Sequence, residues 1–205
     1  DEPPQEAARR VVLEDARVAQ PTLARTYLAP SQNQAGWETA HALDLFAEIL
    51  GGGTTSRLYR ELVVDKQLAA SAGAYYRGNA LDATTLRLYA TPRAGVELEE
   101  LEAALDAVVR RTLVEGVDAD ELERAKTRMQ AESVYARDSL GGAARIFGAA
   151  LTTGLDVEDV ERWPERMAAV ELERVNAAAR EVLVPGRSVT GLLRPAAGAD
   201  RGETG

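Results

Sequence analysis

The one histidine of the chain, His41, sets the first limit on its chemistry. Cysteine is absent, so the sequence has no thiolate nucleophile and no sulfur ligand for a metal. A zinc site with two or three imidazole ligands therefore cannot be built from this chain alone, and a Ser-His-Asp triad would have to use His41. His41 adjoins the apolar positions 42, 45, 46, 49 and 50 of an expected helix, which favours a partly buried structural histidine over a catalytic one.

The second limit comes from the acidic charge of the chain. The 205 residues include 33 Asp and Glu against 24 Lys and Arg, a net charge of −9. No block of basic residues occurs, so a nucleic-acid surface is not expected. The acidic runs ELEELEAALD and DADELERAK are typical of solvated helix faces rather than of divalent-cation sites. No stretch approaches the roughly 18 apolar residues of a membrane span.

The stretch GGGTTSR, residues 51–57, is the third feature that could carry chemistry. It lacks the Gly-Lys-Ser/Thr triplet of a Walker loop, and a helix rather than a strand is expected before it, unlike in a dinucleotide-binding loop. Phosphate binding at the N-terminus of the next helix stays open as an alternative. Local chemistry favours a joint between two packed helices, with Gly51 relieving left-handed strain and Thr54, Thr55 or Ser56 as the next cap.

Apolar periodicity predicts the elements that position these residues. Strands are predicted at 9–15, 21–30, 69–77, 83–92 and 187–195. Helices are predicted at 37–50, 56–66, 96–115, 118–138, within 141–154, at 156–168 with an irregularity at Trp163-Pro164, and at 171–183. Short connections between neighbouring strands favour an α+β fold, an antiparallel sheet packed on one side by helices. Residues 1–9 are expected to be a linker or frayed N-terminus, 10–195 a single domain, and 196–205 a flexible tail.

The segment GGGTTSRLYRELVVDKQLAASAGAYY, residues 51–76, resembles a signature of the pitrilysin family of zinc peptidases, which includes insulinase and the mitochondrial processing peptidase. In the second domain of that family a helix ends in Leu-Gly-Gly-Gly, followed by Ser-Arg-Leu-Tyr/Phe and by Leu-Ala before a strand. The upstream ARTYLAP, residues 24–30, resembles the family's strand that ends in Pro before the long helix. Element order agrees over about residues 10–195. The resemblance implies the processing-peptidase-like, or LuxS-like, metallohydrolase sandwich.

The resemblance also implies that the chain is half of a larger enzyme. Family peptidases pair two similar domains around an enclosed chamber, and a His-x-x-Glu-His motif in one domain binds zinc. The glutamate of the motif activates the metal-bound water. Because the motif is absent here, the chain is similar to the C-terminal, non-zinc-binding or inactive domain. No cofactor or metal is expected in this chain, and zinc is expected in the partner domain.

Two positions depart from the family pattern. In many members the second domain supplies an Arg and, seven residues later, a Tyr, which hold substrate or polarise the scissile carbonyl. Counting along the motif places them at Val63 and Ala70, whose side chains cannot donate a hydrogen bond. Either another chain supplies these donors, or nearby residues replace them, or the domain only shapes the chamber. The candidate replacements for substrate binding are Arg57, Arg60, Tyr75 and Tyr76.

The pair Tyr75-Tyr76 allows a second mode of substrate binding, because it lies on a predicted strand of small residues. An edge strand can capture an extended peptide by β-augmentation. The simpler interpretation is that one tyrosine is in the core and its neighbour at the surface, since successive side chains of a strand alternate between faces.

We therefore expect a non-catalytic C-terminal domain of a bacterial zinc metallopeptidase, which closes the chamber and helps to bind peptide, and which is inactive alone. The alternative is a structural or assembly subunit of a processing-peptidase-like complex without a catalytic role. The expected partners are a zinc-binding domain or subunit of the same family and a peptide substrate, with a homodimer as a further option. The compartment stays open between bacterial periplasm and cytoplasm, and the family resemblance favours the periplasm.

Overall fold

The computed structural model describes residues 5–138 and 141–196, without the side chains of 136–138. Its five-stranded sheet has the strand order β1-β5-β2-β4-β3. The strands are β1 (Arg9–Asp15), β2 (Thr22–Ala29), β3 (Ala69–Tyr76), β4 (Thr84–Pro92) and β5 (Ser188–Pro195). β1 and β3 are therefore the two edges of the sheet. The predicted tail at 196–205 lies outside the described residues, apart from Ala196.

The helices of the described chain fall mostly where periodicity predicts them. They are α1 (Gln32–Gly51), α2 (Leu98–Glu115), α3 (Ala119–Asp138), α4 (Gly142–Thr152), α5 (Val157–Glu161), α6 (Trp163–Ala169) and α7 (Leu172–Val182). A π-helix, Tyr59–Asp65, lies between α1 and β3, and a 3₁₀ turn, Pro185–Arg187, precedes β5. Among the described helices, none is both long and apolar enough to cross a bilayer.

The direction of the strands agrees with the sequence prediction except at one edge. β5, β2, β4 and β3 are antiparallel to one another in that order. β1 instead pairs parallel with β5, from Arg9 opposite Val189 to Asp15 opposite Pro195. Parallel neighbours need a long crossover connection, and here nearly the whole domain lies between the two strands. Short connections therefore predict only the antiparallel part of the sheet.

The hydrophobic core lies between one face of the sheet and the helices. Alternate side chains of β2 and β4, such as Leu23, Leu86 and Leu88, are fully buried in a single cluster with the apolar stripes of the helices. On the opposite face, the side chains of Tyr75 and Tyr89 are exposed. We call this second surface the open face of the sheet. The α+β class with helices packed on one side is confirmed.

Two helices differ from their predicted bounds. α1 begins at Gln32 rather than at Trp37, because the Gln34 side chain accepts the backbone N–H of Ser31 at 3.4 Å and so closes a polar first turn that carries no apolar signal. Gly36, with a φ of +77°, then breaks the helical backbone before the apolar stripe begins.

The helix predicted at 156–168 divides into α5 and α6 at Arg162. Pro164 has no N–H with which to continue the hydrogen-bond ladder of α5, and its ring fits the first turn of a new helix. The irregularity predicted at Trp163-Pro164 is this break. The Trp163 indole is partly buried and packs against the core.

Candidate functional site

The glycine-rich joint connects the end of α1 to the π-helix. A Cβ added to Gly51 would lie 2.0 Å from the backbone nitrogen of Ala74, so at this residue the helix rests directly on the β3 backbone. A Cβ added to Gly53 would meet nothing within 4 Å. The prediction that Gly51 relieves left-handed strain is wrong, since it is the last residue of α1 and the cap Gly52 has a φ of −79°. The first glycine is required by packing rather than by backbone conformation.

Arg57 ties this joint to the start of α3. Its guanidinium donates to both carboxylate oxygens of Glu121, at 2.7 and 2.5 Å, and to the carbonyl of Gly116 at 2.9 Å. Glu121 also accepts the backbone N–H of Asp118 at 3.0 Å, and Asp118 accepts that of Glu121 at 2.8 Å. Both members of the Arg57–Glu121 pair are about four-fifths buried. These three hydrogen bonds hold the Arg57 guanidinium against α3.

The helix predicted at 56–66 becomes a π-helix over its central residues. Its end is marked by the N–H of Lys66, which donates to the carbonyl of Glu61, five residues back, at 2.9 Å. Burial raises the pKa of Glu61, but hydrogen bonds from Arg111 and Lys66 outweigh burial and hold that pKa below its ordinary value. π-Helical turns are frequent at functional sites, and this one contains Val63, where the resemblance places the family arginine.

The two positions that depart from the family pattern lie in different surroundings. Val63 is buried in the π-helix, whereas Ala70 is exposed at an irregularity in the pairing of β3 with β4. The guanidinium of Arg93, which follows β4, donates to the Val63 carbonyl at 3.2 Å and to the Gln67 side chain at 3.3 Å. An arginine distant in sequence therefore lies against the backbone where the family resemblance places one.

The open face carries a cluster of Tyr75, Arg87 and Tyr89, which we call the aromatic cluster. Antiparallel register sets Tyr75 opposite Arg87 and Gly73 opposite Tyr89. The rings of Tyr75 and Tyr89 are 6.5 Å apart between centroids, and Arg87 reaches the Tyr75 hydroxyl at 3.5 Å. A Cβ on Gly73 would come within 2.4 Å of the Tyr89 hydroxyl, so the ring of Tyr89 lies across the glycine. Small residues in β3 thus make room for an aromatic surface beside the edge of the sheet.

Tyr76 points to the opposite face from Tyr75. It is buried and donates its hydroxyl proton to the carbonyl of Pro30 at 2.5 Å. Burial, with a further contribution from the charge of Asp44, raises its pKa above the ordinary tyrosine range. Tyr75 is 42% exposed. The alternation predicted for the tyrosine pair is therefore present.

The four residues proposed for substrate binding are not brought together. Arg57 is bound to α3 on the helical side, Arg60 is exposed on the π-helix, Tyr76 is in the core, and Tyr75 alone lies on the open face. Sequence reasoning did not single out Arg87, Tyr89 or Arg93. Alternation in LRLYA indicates that Arg87 and Tyr89 share a face, but the register that sets them beside Tyr75 is not encoded locally.

His41 is buried, at 3% exposure, between two tryptophans. Its ring centroid lies 6.0 Å from that of Trp37 and 6.2 Å from that of Trp163. Asp44 has the spacing that the glutamate of a His-x-x-Glu-His motif would have from His41, but Leu45 stands in place of the second histidine. Within the described residues, no group of three or more His, Cys, Asp or Glu side chains could hold a metal. His41 and Asp44 alone are too few ligands to hold a zinc ion.

Comparison with known proteins places the chain in a family. The family model of the peptidase M16 inactive domain matches residues 1–129. The chain is 26% identical over 149 residues to an uncharacterised zinc protease of Bacillus subtilis, covering 73% of this chain and 36% of that protein. The crystal structure of a protease from Helicobacter pylori superimposes with a TM-score of 0.85 at 23% identity, covering 94% of this chain and 45% of the other. The periplasmic protease PqqL from Escherichia coli gives 0.72 at 18% identity, covering 93% and 21%.

Proposed function

This chain belongs to the peptidase M16 inactive-domain family, and we propose that it is the non-catalytic C-terminal domain of a bacterial zinc metallopeptidase, which closes a chamber and helps to bind peptide. The chain spans about a third of the length of the Bacillus relative and less than half of the Helicobacter protease. Because the chain covers less than half of each of these relatives, we propose that the enzyme has a second half that carries the zinc-binding motif. Bound there, zinc would polarise the scissile carbonyl and activate the attacking water.

The observation that carries the substrate-binding part of the proposal is the edge position of β3 beside the aromatic cluster. An extended peptide can add to a free strand edge through main-chain hydrogen bonds, which give affinity without demanding one sequence. Tyr75 would then offer a hydroxyl and a flat apolar ring, while Arg87 would offer a cation on the same surface. Residues of this domain hold and orient the peptide, and the bond is broken by the other half.

Of the earlier candidates, we propose Tyr75 as a peptide-contacting residue and retain Arg60, whose exposed side chain is available from the π-helix. Arg57 is paired with Glu121, which makes a structural role the better assignment. Arg93, held over the Val63 carbonyl, is the cation that we propose in place of the family arginine. The proposed compartment is the bacterial periplasm, with the cytoplasm as the alternative, and the periplasmic fold neighbour supports it.

The test compares the chain alone with the chain joined to, or mixed with, its zinc-binding half. The chain alone should neither cleave quenched fluorescent peptides nor retain stoichiometric zinc after dialysis, and the assembled enzyme should cleave. In the assembled enzyme, Arg87→Met should raise KM by about fivefold or more while kcat stays within about twofold, because binding that is equal in ground and transition states is lost. Arg110→Met, which removes an exposed arginine of α2, is the matched control and should change neither constant.

Two results would count against the proposal. Cleavage or tight zinc binding by the isolated chain would overturn its non-catalytic assignment. An assembled enzyme whose KM is the same for wild type, Arg87→Met and Tyr75→Ala would remove the substrate-binding role. That second result would leave the structural-subunit alternative as the better account.

A further inference from the structure

A cavity of about 630 Å³ opens between α1, α3, α4 and the α5–α6 segment, on the helical side of the sheet. His41 and Asp44 of α1 are among the residues that line it. Its apolar wall is formed by Met129, Ile146, Leu155, Val160 and Trp163. The volume lies in the range of small-molecule pockets, which combine apolar walls with a few convergent polar groups. The aromatic cluster is on the other face of the sheet, so this cavity is separate from the proposed peptide surface.

His41 contributes polar atoms that the protein leaves unpaired. Both ring nitrogens are buried, and neither has a hydrogen-bond partner among the described residues. A carboxylate oxygen of Asp44 lies 3.7 Å from Nδ1, which is too far for a hydrogen bond. Leaving a buried polar group unpaired destabilises the folded protein. A buried histidine with unpaired ring nitrogens beside a cavity is suited to a ligand that can donate a hydrogen bond to one of those nitrogens.

Asp44 supplies the charge that selects this ligand. Among the ion pairs of the described residues, its one partner is His41, so no arginine or lysine neutralises it. Burial raises its pKa, and the nearby His41 acts in the opposite direction. The other acid of the cavity, Asp159, already accepts hydrogen bonds from Arg166 at 2.5 Å and from Gln32 at 3.0 Å. A cation entering the cavity would therefore be attracted to Asp44.

The residues that line the cavity indicate whether it suits a metal ion or an organic cation. Two side chains, one imidazole and one carboxylate, are too few to hold a metal ion, and the wall is mainly apolar. The Trp163 indole adds an aromatic surface that can attract an organic cation. Arg77 also lines the cavity, but its side chain is exposed, and charge is screened more strongly there than at the partly buried Asp44 side chain.

We propose that this cavity binds a small organic ammonium ion with an aromatic or branched apolar body. The ammonium group donates hydrogen bonds to the Asp44 carboxylate and to one nitrogen of His41. The apolar body packs against the wall formed by α3, α4 and the α5–α6 segment. This binding site is independent of the proposed peptidase role.

Three probes with the same indole ring and two-carbon linker test the charge requirement by isothermal titration of the purified chain: tryptamine, the neutral alcohol tryptophol and the anionic indole-3-propionate. Tryptamine should bind at least about tenfold more tightly than either of the others, a difference of ~1.4 kcal/mol. Asp44→Asn should remove that advantage and leave tryptophol binding unchanged. Asp65→Asn, which neutralises an exposed acid at the end of the π-helix, is the control and should bind all three as wild type does.

A second variant keeps the test decisive if Asp44→Asn fails to fold. Ala149 lines the cavity at an exposed position of α4, so Ala149→Trp should fill the opening, preserve the fold and abolish tryptamine binding. Preferred binding of indole-3-propionate would indicate an anion site at Arg77 and overturn the proposal. Equal binding of the three probes would also overturn the proposal. So would the absence of binding by any probe at 10 mM (about −2.7 kcal/mol at 25 °C), which would indicate a cavity filled by water.

Discussion

At the scale of single residues, the arginines of the glycine-rich motif divide by what they contact. Arg57 donates to two oxygens of Glu121 and to a backbone carbonyl, whereas Arg60 is exposed to solvent on the next turn. Charge-assisted bidentate pairs are among the strongest side-chain hydrogen bonds. The motif residue that looks most suited to gripping a substrate therefore stabilises the joint between the π-helix and α3.

Replacing Arg57 by Met should lower the free energy of unfolding by about 1–3 kcal/mol, because Glu121 would stay partly buried and lose its cationic partner. Arg60→Met should change it by less than ~0.5 kcal/mol, as is usual for exposed sites. Urea denaturation of both variants, followed by far-ultraviolet circular dichroism, measures the difference. Equal stability of the two variants would show that the Arg57–Glu121 pair contributes nothing to the fold.

At the scale of elements, the close approach of α1 to β3 explains the first glycine of the motif. The Gly51 backbone lies where any side chain would meet the backbone of Ala74, and backbone cannot move aside as a flexible side chain can. The adjoining Gly53 faces open space. The three consecutive glycines are thus not equivalent, although the sequence presents them as one signal.

Gly51→Ala should destabilise the domain by at least about 2 kcal/mol, since overpacking forces α1 and β3 apart. Gly53→Ala should change the free energy of unfolding by less than ~1 kcal/mol in either direction, because its Cβ is accommodated and alanine restricts the unfolded chain. Thermal and urea unfolding of the pair check this. A Gly51→Ala variant as stable as Gly53→Ala would mean that α1 shifts on β3 at little cost.

Sequence periodicity predicts the elements well and their neighbours only in part. The apolar stripe of α2 and the alternation of β4 are local signals, and both elements form where they are expected. The parallel pairing of β1 with β5 depends on residues about 180 positions apart, as shown by Arg9 opposite Val189, and no local pattern records it. The contact of Arg93 with the Val63 carbonyl is missed for the same reason. The family resemblance is enough to identify the domain. The aromatic cluster can be recognised only once the register of β3 and β4 is known.

At the scale of the whole molecule, β1 is the strand least covered by the described chain. Val11, Val12 and Leu13 are each about half exposed, on both faces of an edge strand. An exposed apolar edge strand tends to pair with another chain unless it is covered. Since the Helicobacter protease is more than twice the length of the matched domain, we propose that the zinc-binding half covers β1.

Leu13→Lys should weaken association with the zinc-binding half by about tenfold or more, because a charged side chain would be buried against an apolar partner. It should leave the free energy of unfolding of the isolated chain within ~0.5 kcal/mol of wild type, since Leu13 is 58% exposed there. Val114→Lys, at a 78% exposed apolar position of α2, is the matched control and should affect neither quantity. Sedimentation velocity of the two halves expressed as separate chains measures the association. If Leu13→Lys associates with the zinc-binding half as tightly as wild type does, the contact lies elsewhere on the domain. If the wild-type chain instead forms a homodimer that Leu13→Lys disrupts, β1 is covered by a second copy of this chain.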